Sequence, residues 1–142
     1  SRDRLSPAAP EARLSANLQA LLSKLQGSIL AQRRTAVDDA AGLSPEAYTP
    51  LYEALLDRAS RRPESTAMSS ALELTEKVPT SWPTLGAALG KIPPKDVPIA
   101  LPPRLAVLGK GRAEVRTLFD QWDSQGTANL KKAIAEARKG LG

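Results

Sequence analysis

Leucines and isoleucines recur at intervals of three and four residues along the first third of the chain, a spacing that places side chains on one face of an α-helix. The pattern predicts one long helix over residues 11–41. We expect this helix to end at Gly42, because a residue without Cβ accepts the left-handed torsions that close many helices. We expect one stripe of this helix to be buried, formed by Leu14, Leu18, Leu21, Leu22, Leu25, Ile29 and Leu30.

A second helix is predicted after Ser44, a good N-cap, with Pro45 in the first helical position, where its missing N–H costs no hydrogen bond. Pro50 removes a bond inside this pattern, so we expect either a kink or a new helix capped by Thr49. Shorter apolar repeats predict further helices over residues 65–78, 82–89, 111–122 and 127–139.

No alternation typical of strands and no internal repeat is present in the sequence. The predicted fold class is therefore all-α, an irregular helical bundle of about five helices.

Prolines are concentrated in the second half of the chain, since seven of the twelve lie from Pro79 to Pro103. Their density predicts that residues 91–104 are extended, in torsions like those of polyproline. Val97, Ile99 and Leu101 are apolar, so we expect this proline-rich strap to pack across the helices.

Residues 1–142 are expected to form a single helical domain, with residues 1–9 as a disordered leader. The chain begins with Ser1 rather than Met, which favours a fragment of a larger protein. No apolar run approaches the length of about 20 residues that crosses a bilayer, and the N-terminus lacks the pattern of a signal peptide.

The chain lacks two of the residue types that are commonest in catalytic sites. There is no Cys and no His, so the usual zinc site, thiol nucleophile, disulfide and near-neutral proton shuttle are all excluded. The acidic residues are dispersed along predicted helix faces. We therefore expect a protein that is not an enzyme and has no cofactor.

The formal charge of +5 is unevenly distributed along the chain. Residues 1–90 hold ten basic and ten acidic side chains, whereas residues 91–142 hold ten basic and five acidic ones. Phe119 and Trp122 fit a core stripe rather than a surface on which bases stack. The candidate anion-binding residues are Lys110, Arg112, Arg116, Lys131 and Lys132.

The segment Leu-Gly-Lys-Gly-Arg over residues 108–112 invites comparison with phosphate-binding loops, because glycines let backbone N–H groups converge on an anion. The spacing of glycines and the Ser or Thr that a Walker A loop requires are absent. We expect a plain turn and helix start, with an anion site as the alternative.

Arg4, Pro7 and Pro10 match a pattern of one basic residue followed by two spaced prolines, which SH3-type grooves bind. The simpler interpretation is a leader that frays into the first helix.

The sequence as a whole favours a non-catalytic helical protein–protein interaction domain, with another protein as partner. The alternative is a polyanion-binding module, in which the basic last third contacts nucleic acid or an anionic membrane surface.

Overall fold

The computed structural model describes residues 14–141. Within this range the chain forms eight α-helices and no strand, which confirms the all-α prediction and corrects the expected number of about five helices. The chain divides into two compact units, Ser1–Val78 and Pro79–Gly142. That residues 1–142 form a single domain stays a prediction.

The described part of the first unit holds α1 (Ala16–Leu25), α2 (Leu30–Ala41), α3 (Pro45–Arg61) and α4 (Thr66–Lys77). The second unit holds α5 (Trp82–Gly90), α6 (Leu101–Leu108), α7 (Ala113–Gln125) and α8 (Ala128–Lys139), with 3₁₀ turns at Pro79–Ser81 and Pro94–Asp96.

The long helix predicted over residues 11–41 is two helices that pack against each other as a hairpin. The chain leaves the helix at residues 26–29, where Gly27 and Ser28 have weak helix propensity. The apolar repeat hides this interruption, because Ile29 follows Leu25 by one helical turn. Leu14, Leu22 and Leu25 are buried as expected, whereas Leu18 and Leu21 are half-buried and Ile29 and Leu30 are exposed.

Every carbonyl at the end of α1 finds a donor. The last four carbonyls of a helix have no partner within it, and burying them unpaired would be costly. The Gln26 side chain and the backbone N–H groups of Gln26 and Gly27 donate to the carbonyls of Leu22, Ser23 and Lys24. The Leu25 carbonyl accepts from Ser70 Oγ at 2.5 Å, and the Gln26 carbonyl accepts from Thr66 Oγ1 at 2.8 Å.

The two hydroxyl donors belong to α4, which packs against α1, α2 and α3. Because Ser70 is fully buried, its bond to Leu25 fixes the end of α1 to the middle of the unit. Arg33 donates from Nη1 to the Gly27 carbonyl at 2.7 Å and so closes the same turn from α2. The interruption of the predicted long helix is therefore stabilised by hydrogen bonds from side chains of α2 and α4.

A second hydrogen-bonded chain joins α3 to α4. The Tyr52 hydroxyl lies 2.6 Å from Thr75 Oγ1, which in turn donates to the Ala71 carbonyl at 2.7 Å, so Tyr52 is the donor to Thr75. Burial raises the pKa of Tyr52 well above its ordinary value. Tyr48 stacks on Tyr52 with ring centroids 5.3 Å apart.

Helix α3 runs without interruption through Pro50, so of the two alternatives the new helix capped by Thr49 is wrong. Pro50 lies in the second turn, and the carbonyl it leaves without a donor belongs to Glu46, which is exposed. Water can satisfy that carbonyl. Gly42 ends α2 as predicted, but with φ −88° it does not use the left-handed torsions that the sequence suggested.

The proline-rich strap is extended only in part. Pro93 and Val97 have extended torsions, but residues 94–96 form a 3₁₀ turn and α6 begins at Leu101. Pro102 and Pro103 occupy the first turn of α6, where the N–H groups that proline lacks have no helical partner. Val97 and Leu101 are buried as predicted, whereas Ile99 is exposed.

The core of the second unit forms around α7, which packs against α5 and α8, while α8 also packs against α6. Phe119 and Trp122 are fully buried with ring centroids 6.3 Å apart, as the predicted stripe required. Gln121 donates from Nε2 to the Gly90 carbonyl at 2.7 Å and thereby satisfies the end of α5. Other large buried side chains of this unit are Trp82, Leu85, Leu89, Ile92, Val97, Leu101, Leu105, Val115, Leu118, Leu130 and Ile134.

Replacing the donor that satisfies the Leu25 carbonyl tests the importance of the helix interruption. We expect Ser70→Ala to lower the free energy of unfolding by about 1–3 kcal/mol, because it leaves a buried carbonyl without a partner. The measurement is urea unfolding followed by far-ultraviolet circular dichroism. Ser23→Ala, at an exposed position on α1, is the matched control and is expected to change stability by less than about 0.5 kcal/mol. Equal effects of the two substitutions would contradict the role assigned to Ser70.

Candidate functional site

The segment over residues 108–112 connects α6 to α7 by a tight turn. A Cβ on Gly109 would lie 2.5 Å from Val115 Cγ2 and 2.6 Å from Trp82 Cη2, so only glycine allows this approach. Gly111 has φ +85°, which other residues rarely adopt. Both glycines are explained by the turn itself.

Arg112, one of the candidate anion-binding residues, is held by groups of the second unit. Its guanidinium carbon lies 5.5 Å from the centroid of the Trp82 ring, a cation–π arrangement. Its Nε and Nη2 donate to the two carboxylate oxygens of Glu114 at 3.2 and 3.3 Å. The charge of Arg112 is therefore balanced at close range.

Glu114 lies in the first turn of α7, where the N-terminal end of a helix favours negative charge. A hydrogen bond from its own backbone N–H and the neighbouring Arg112 hold the pKa of Glu114 below its ordinary value, against a smaller opposing effect of burial. A carboxylate of the chain thus takes the place at this helix end that an external phosphate would need.

The other four candidate cations, Lys110, Arg116, Lys131 and Lys132, are exposed, and within residues 14–141 none of them forms an ion pair. Lys131 and Lys132 are consecutive on α8, so their side chains point about 100° apart around the helix axis. Arg138, on the same side of α8 as Lys131, binds Asp120 at 2.7 Å and Asp123 at 3.2 Å. The structure therefore does not gather the five candidate residues around one point, and their binding of an anion stays a prediction.

A surface that the sequence analysis missed lies on α6. Val107 is 80% exposed and Ile99 is 60% exposed, and Pro103 between them is also exposed. Pro103 and Val107 are four apart on α6, the spacing that aligns side chains on one side of a helix, and Ile99 lies in the turn two residues before the helix begins. We call Ile99, Pro103 and Val107 the α6 apolar patch. The spacing was visible in the sequence, but the expectation of an extended strap concealed it.

A second exposed apolar pair, Ile29 and Leu30, lies where α1 turns into α2. An open groove of about 450 Å³ follows these two helices, lined by Lys24, Ala31, Gln32, Thr35, Ala36 and Asp39. Both charges at this groove belong to exposed side chains of opposite sign, so it presents no net charge to a ligand.

Three other sequence-level predictions bear on the site. The SH3-type pattern of Arg4, Pro7 and Pro10 and the leader over residues 1–9 lie outside the described residues. Among residues 14–141, no three carboxylates lie close enough to hold a metal ion. No helix in the same range combines the length and the apolar character needed to cross a membrane.

Comparison of the chain with protein-family models, with curated proteins and with solved structures finds no significant match.

The Gly109 turn generates a prediction about stability. We expect Gly109→Ala to destabilise the second unit by about 1–3 kcal/mol, because a methyl group would overlap the buried Val115 and Trp82 side chains. Tryptophan fluorescence during urea unfolding measures it, since both tryptophans lie in this unit. Gly140→Ala, whose added Cβ meets only an ordinary contact at 3.4 Å, is the control. A stability equal to that of the control would show that the turn can relax.

The lowered pKa of Glu114 generates a prediction about pH. A carboxyl group whose pKa is lower in the folded state stabilises the fold above its unfolded-state pKa, and this contribution is lost as the pH falls through its folded-state pKa. The wild type should therefore melt at a higher temperature than Glu114→Gln at neutral pH, and the difference should disappear on acidification. Thermal melts from neutral to strongly acidic pH measure this difference. A constant difference across that range would contradict the electrostatic explanation.

Proposed function

We propose that the chain is a non-catalytic helical protein-interaction domain and that the α6 apolar patch is its contact surface for another protein. The observation that carries the proposal is the exposure of Val107 on α6 and of Ile99 in the turn before it, next to a helix whose other side is anchored in a well-formed core. A rigid helix that presents aligned apolar side chains is a common mode of recognition between proteins.

The side of α6 opposite the patch is fixed by four buried residues, Leu101, Pro102, Leu105 and Ala106. A partner would therefore meet a surface that is ordered before binding, which lowers the entropic cost of association. Proline at position 103 adds to this, because its ring restricts the backbone at the centre of the patch.

The alternative, a polyanion-binding module, has weaker support. Arg112 is held by Glu114 and Trp82, and Lys131 and Lys132 diverge around α8. All five aromatic side chains of the chain are buried, so none is available for stacking on nucleic acid bases.

The test uses the full 142-residue chain, immobilised and exposed to an extract of the cells that produce it. We expect Val107→Asp to reduce the recovery of a specifically retained protein by about tenfold or more, because a carboxylate would be buried against the partner's apolar surface. Mass spectrometry measures the recovery. Thr117→Asp places the same charge at an exposed position of α7 and is the matched control.

The same experiment separates the proposal from its alternative. Recovery that is equal for wild type and Val107→Asp would contradict a role for the α6 apolar patch. Charge reversal of Lys110, Lys131 and Lys132 leaves the Arg112 contacts intact. Retention of nucleic acid that disappears in this variant, without loss in Val107→Asp, would favour polyanion binding.

A further inference from the structure

We propose that two copies of this chain associate through the groove between α1 and α2, as a symmetric dimer in which Lys24 of each copy binds Asp39 of the other. The proposal goes beyond the proposed function, because it concerns the first unit and a second copy of the chain. It rests on the position of two opposite charges, on the small side chains between them, and on the symmetry that relates them.

Two exposed side chains of opposite charge line the groove. Lys24 and Asp39 are both exposed, and within residues 14–141 neither of them forms an ion pair. Asp38 differs in this respect, because it binds Lys77 of α4 at 3.1 Å. The groove therefore offers one positive and one negative group to a binding partner.

The two charges lie at opposite ends of the groove. Because residues 26–29 join α1 and α2 in a hairpin, Lys24 in the last turn of α1 lies beside the first turn of α2. Asp39 lies in the last turn of α2, eight residues after Ala31. At 1.5 Å per residue this separation is about 12 Å along the helix, so a complementary surface must carry an acidic and a basic group about 12 Å apart.

The groove itself carries that arrangement, and a two-fold axis makes it self-complementary. An axis perpendicular to α2 at Thr35 places Ala31 of one copy opposite Asp39 of the other, because both residues are four positions from Thr35. Lys24, beside the first turn of α2, then faces Asp39 of the other copy. The same contact recurs across the axis, so two ion pairs form from one pair of side chains.

Small side chains at the centre of the groove allow two α2 helices to approach each other. Ala31, Thr35 and Ala36 line it between the two charges, and the distance between packed helices depends on the size of the side chains at the contact. The Thr35 hydroxyl donates to the Ala31 carbonyl at 3.1 Å, so it keeps a hydrogen bond when a second copy covers it. The antiparallel arrangement also brings opposite ends of the two helix dipoles together.

Helix α1 adds apolar surface to the same contact. Leu21 precedes Lys24 by three residues, which puts it on the same side of α1, and it is only half-buried. Dimerisation through the groove would therefore remove part of a leucine side chain from water as well as form the two ion pairs.

A second copy fits the groove better than a polyanion or a membrane. The charges of Lys24 and Asp39 cancel, so the groove does not attract a phosphate backbone or an anionic lipid surface. Its lining of alanines, a threonine and a glutamine lacks the large apolar side chains that proteins insert into the membrane interface.

The size of the hairpin limits the strength of the dimer. Helix α2 has 12 residues and is about 18 Å long, so the contact belongs to the small class of interfaces that is typical of reversible complexes. We therefore expect monomer and dimer to exchange, with the dimer favoured as the chain concentration rises and disfavoured as salt is added.

Sedimentation equilibrium of the full 142-residue chain tests the proposal. The wild type should become increasingly dimeric as its concentration rises toward about 1 mM. Lys24→Glu alone and Asp39→Lys alone should each weaken the dimer about tenfold or more, because each variant sets two pairs of like charges against each other. Lys132→Glu and Glu76→Lys make the same charge changes at exposed positions that do not line the groove, and each should change the affinity less than about twofold.

A mixture of the two single variants provides the sharpest test. In a mixed dimer the introduced glutamate faces the introduced lysine, and the native Asp39 faces the native Lys24. The equimolar mixture should therefore dimerise about as strongly as the wild type, although neither variant does so alone. The double variant Lys24→Glu with Asp39→Lys should also dimerise, since its charges are exchanged but still complementary. Circular dichroism establishes that each variant keeps the helical fold.

Four outcomes would overturn the proposal. The first is a wild type that stays monomeric up to about 1 mM chain. The second is a dimer that both single variants form as strongly as the wild type does. The third is a mixture that dimerises no better than the single variants alone. The fourth is a dimer that persists in the single variants and is lost in Val107→Asp, because self-association would then take place on the α6 apolar patch.

Discussion

The end of α1 organises the first unit, because its carbonyls need donors that the helix itself cannot supply. Ser70 and Thr66 of α4 provide two of them, and Arg33 of α2 closes the adjacent turn. These bonds connect α1, α2 and α4 at the non-helical residues 26–29. The same requirement recurs in the second unit, where Gln121 of α7 donates to the carbonyl of Gly90 at the end of α5. In both units a side chain from one helix satisfies the backbone where another helix stops.

This constraint explains which parts of the fold the sequence could predict. Helices α4, α7 and α8 begin and end within about three residues of their predicted limits, because their apolar stripes and flanking residues agree with each other. Thr127 is a clear case, since its side chain accepts from the Leu130 N–H as an N-cap should. The interruption at Gly27 was not predictable from periodicity, because Leu25 and Ile29 keep the helical spacing across it. Its stability depends on donors 40 and 45 residues away in the chain.

The prediction of an extended proline-rich strap was wrong in part, for a different reason. A high density of prolines disfavours a helix interior, but two of these prolines occupy the first turn of α6, where they are compatible with the helix. The error concealed the α6 apolar patch, because Pro103 and Val107 lie on one side of a helix only when residues 101–108 are helical. For the candidate anion site, the sequence located the bases but could not show that Arg112 would be held by Glu114 and Trp82.

The central claim is that recognition takes place on α6, and chemical-shift mapping by nuclear magnetic resonance tests it most directly. The backbone amides and methyl groups of the full chain would be followed during titration with an amphipathic helical peptide that carries leucines at three- and four-residue spacing. The account predicts that the largest shifts occur at Ile99, Arg104 and Val107, while the buried Leu105 methyl groups shift less. Shifts concentrated at Arg116, Lys131 and Lys132, with none on α6, would contradict it.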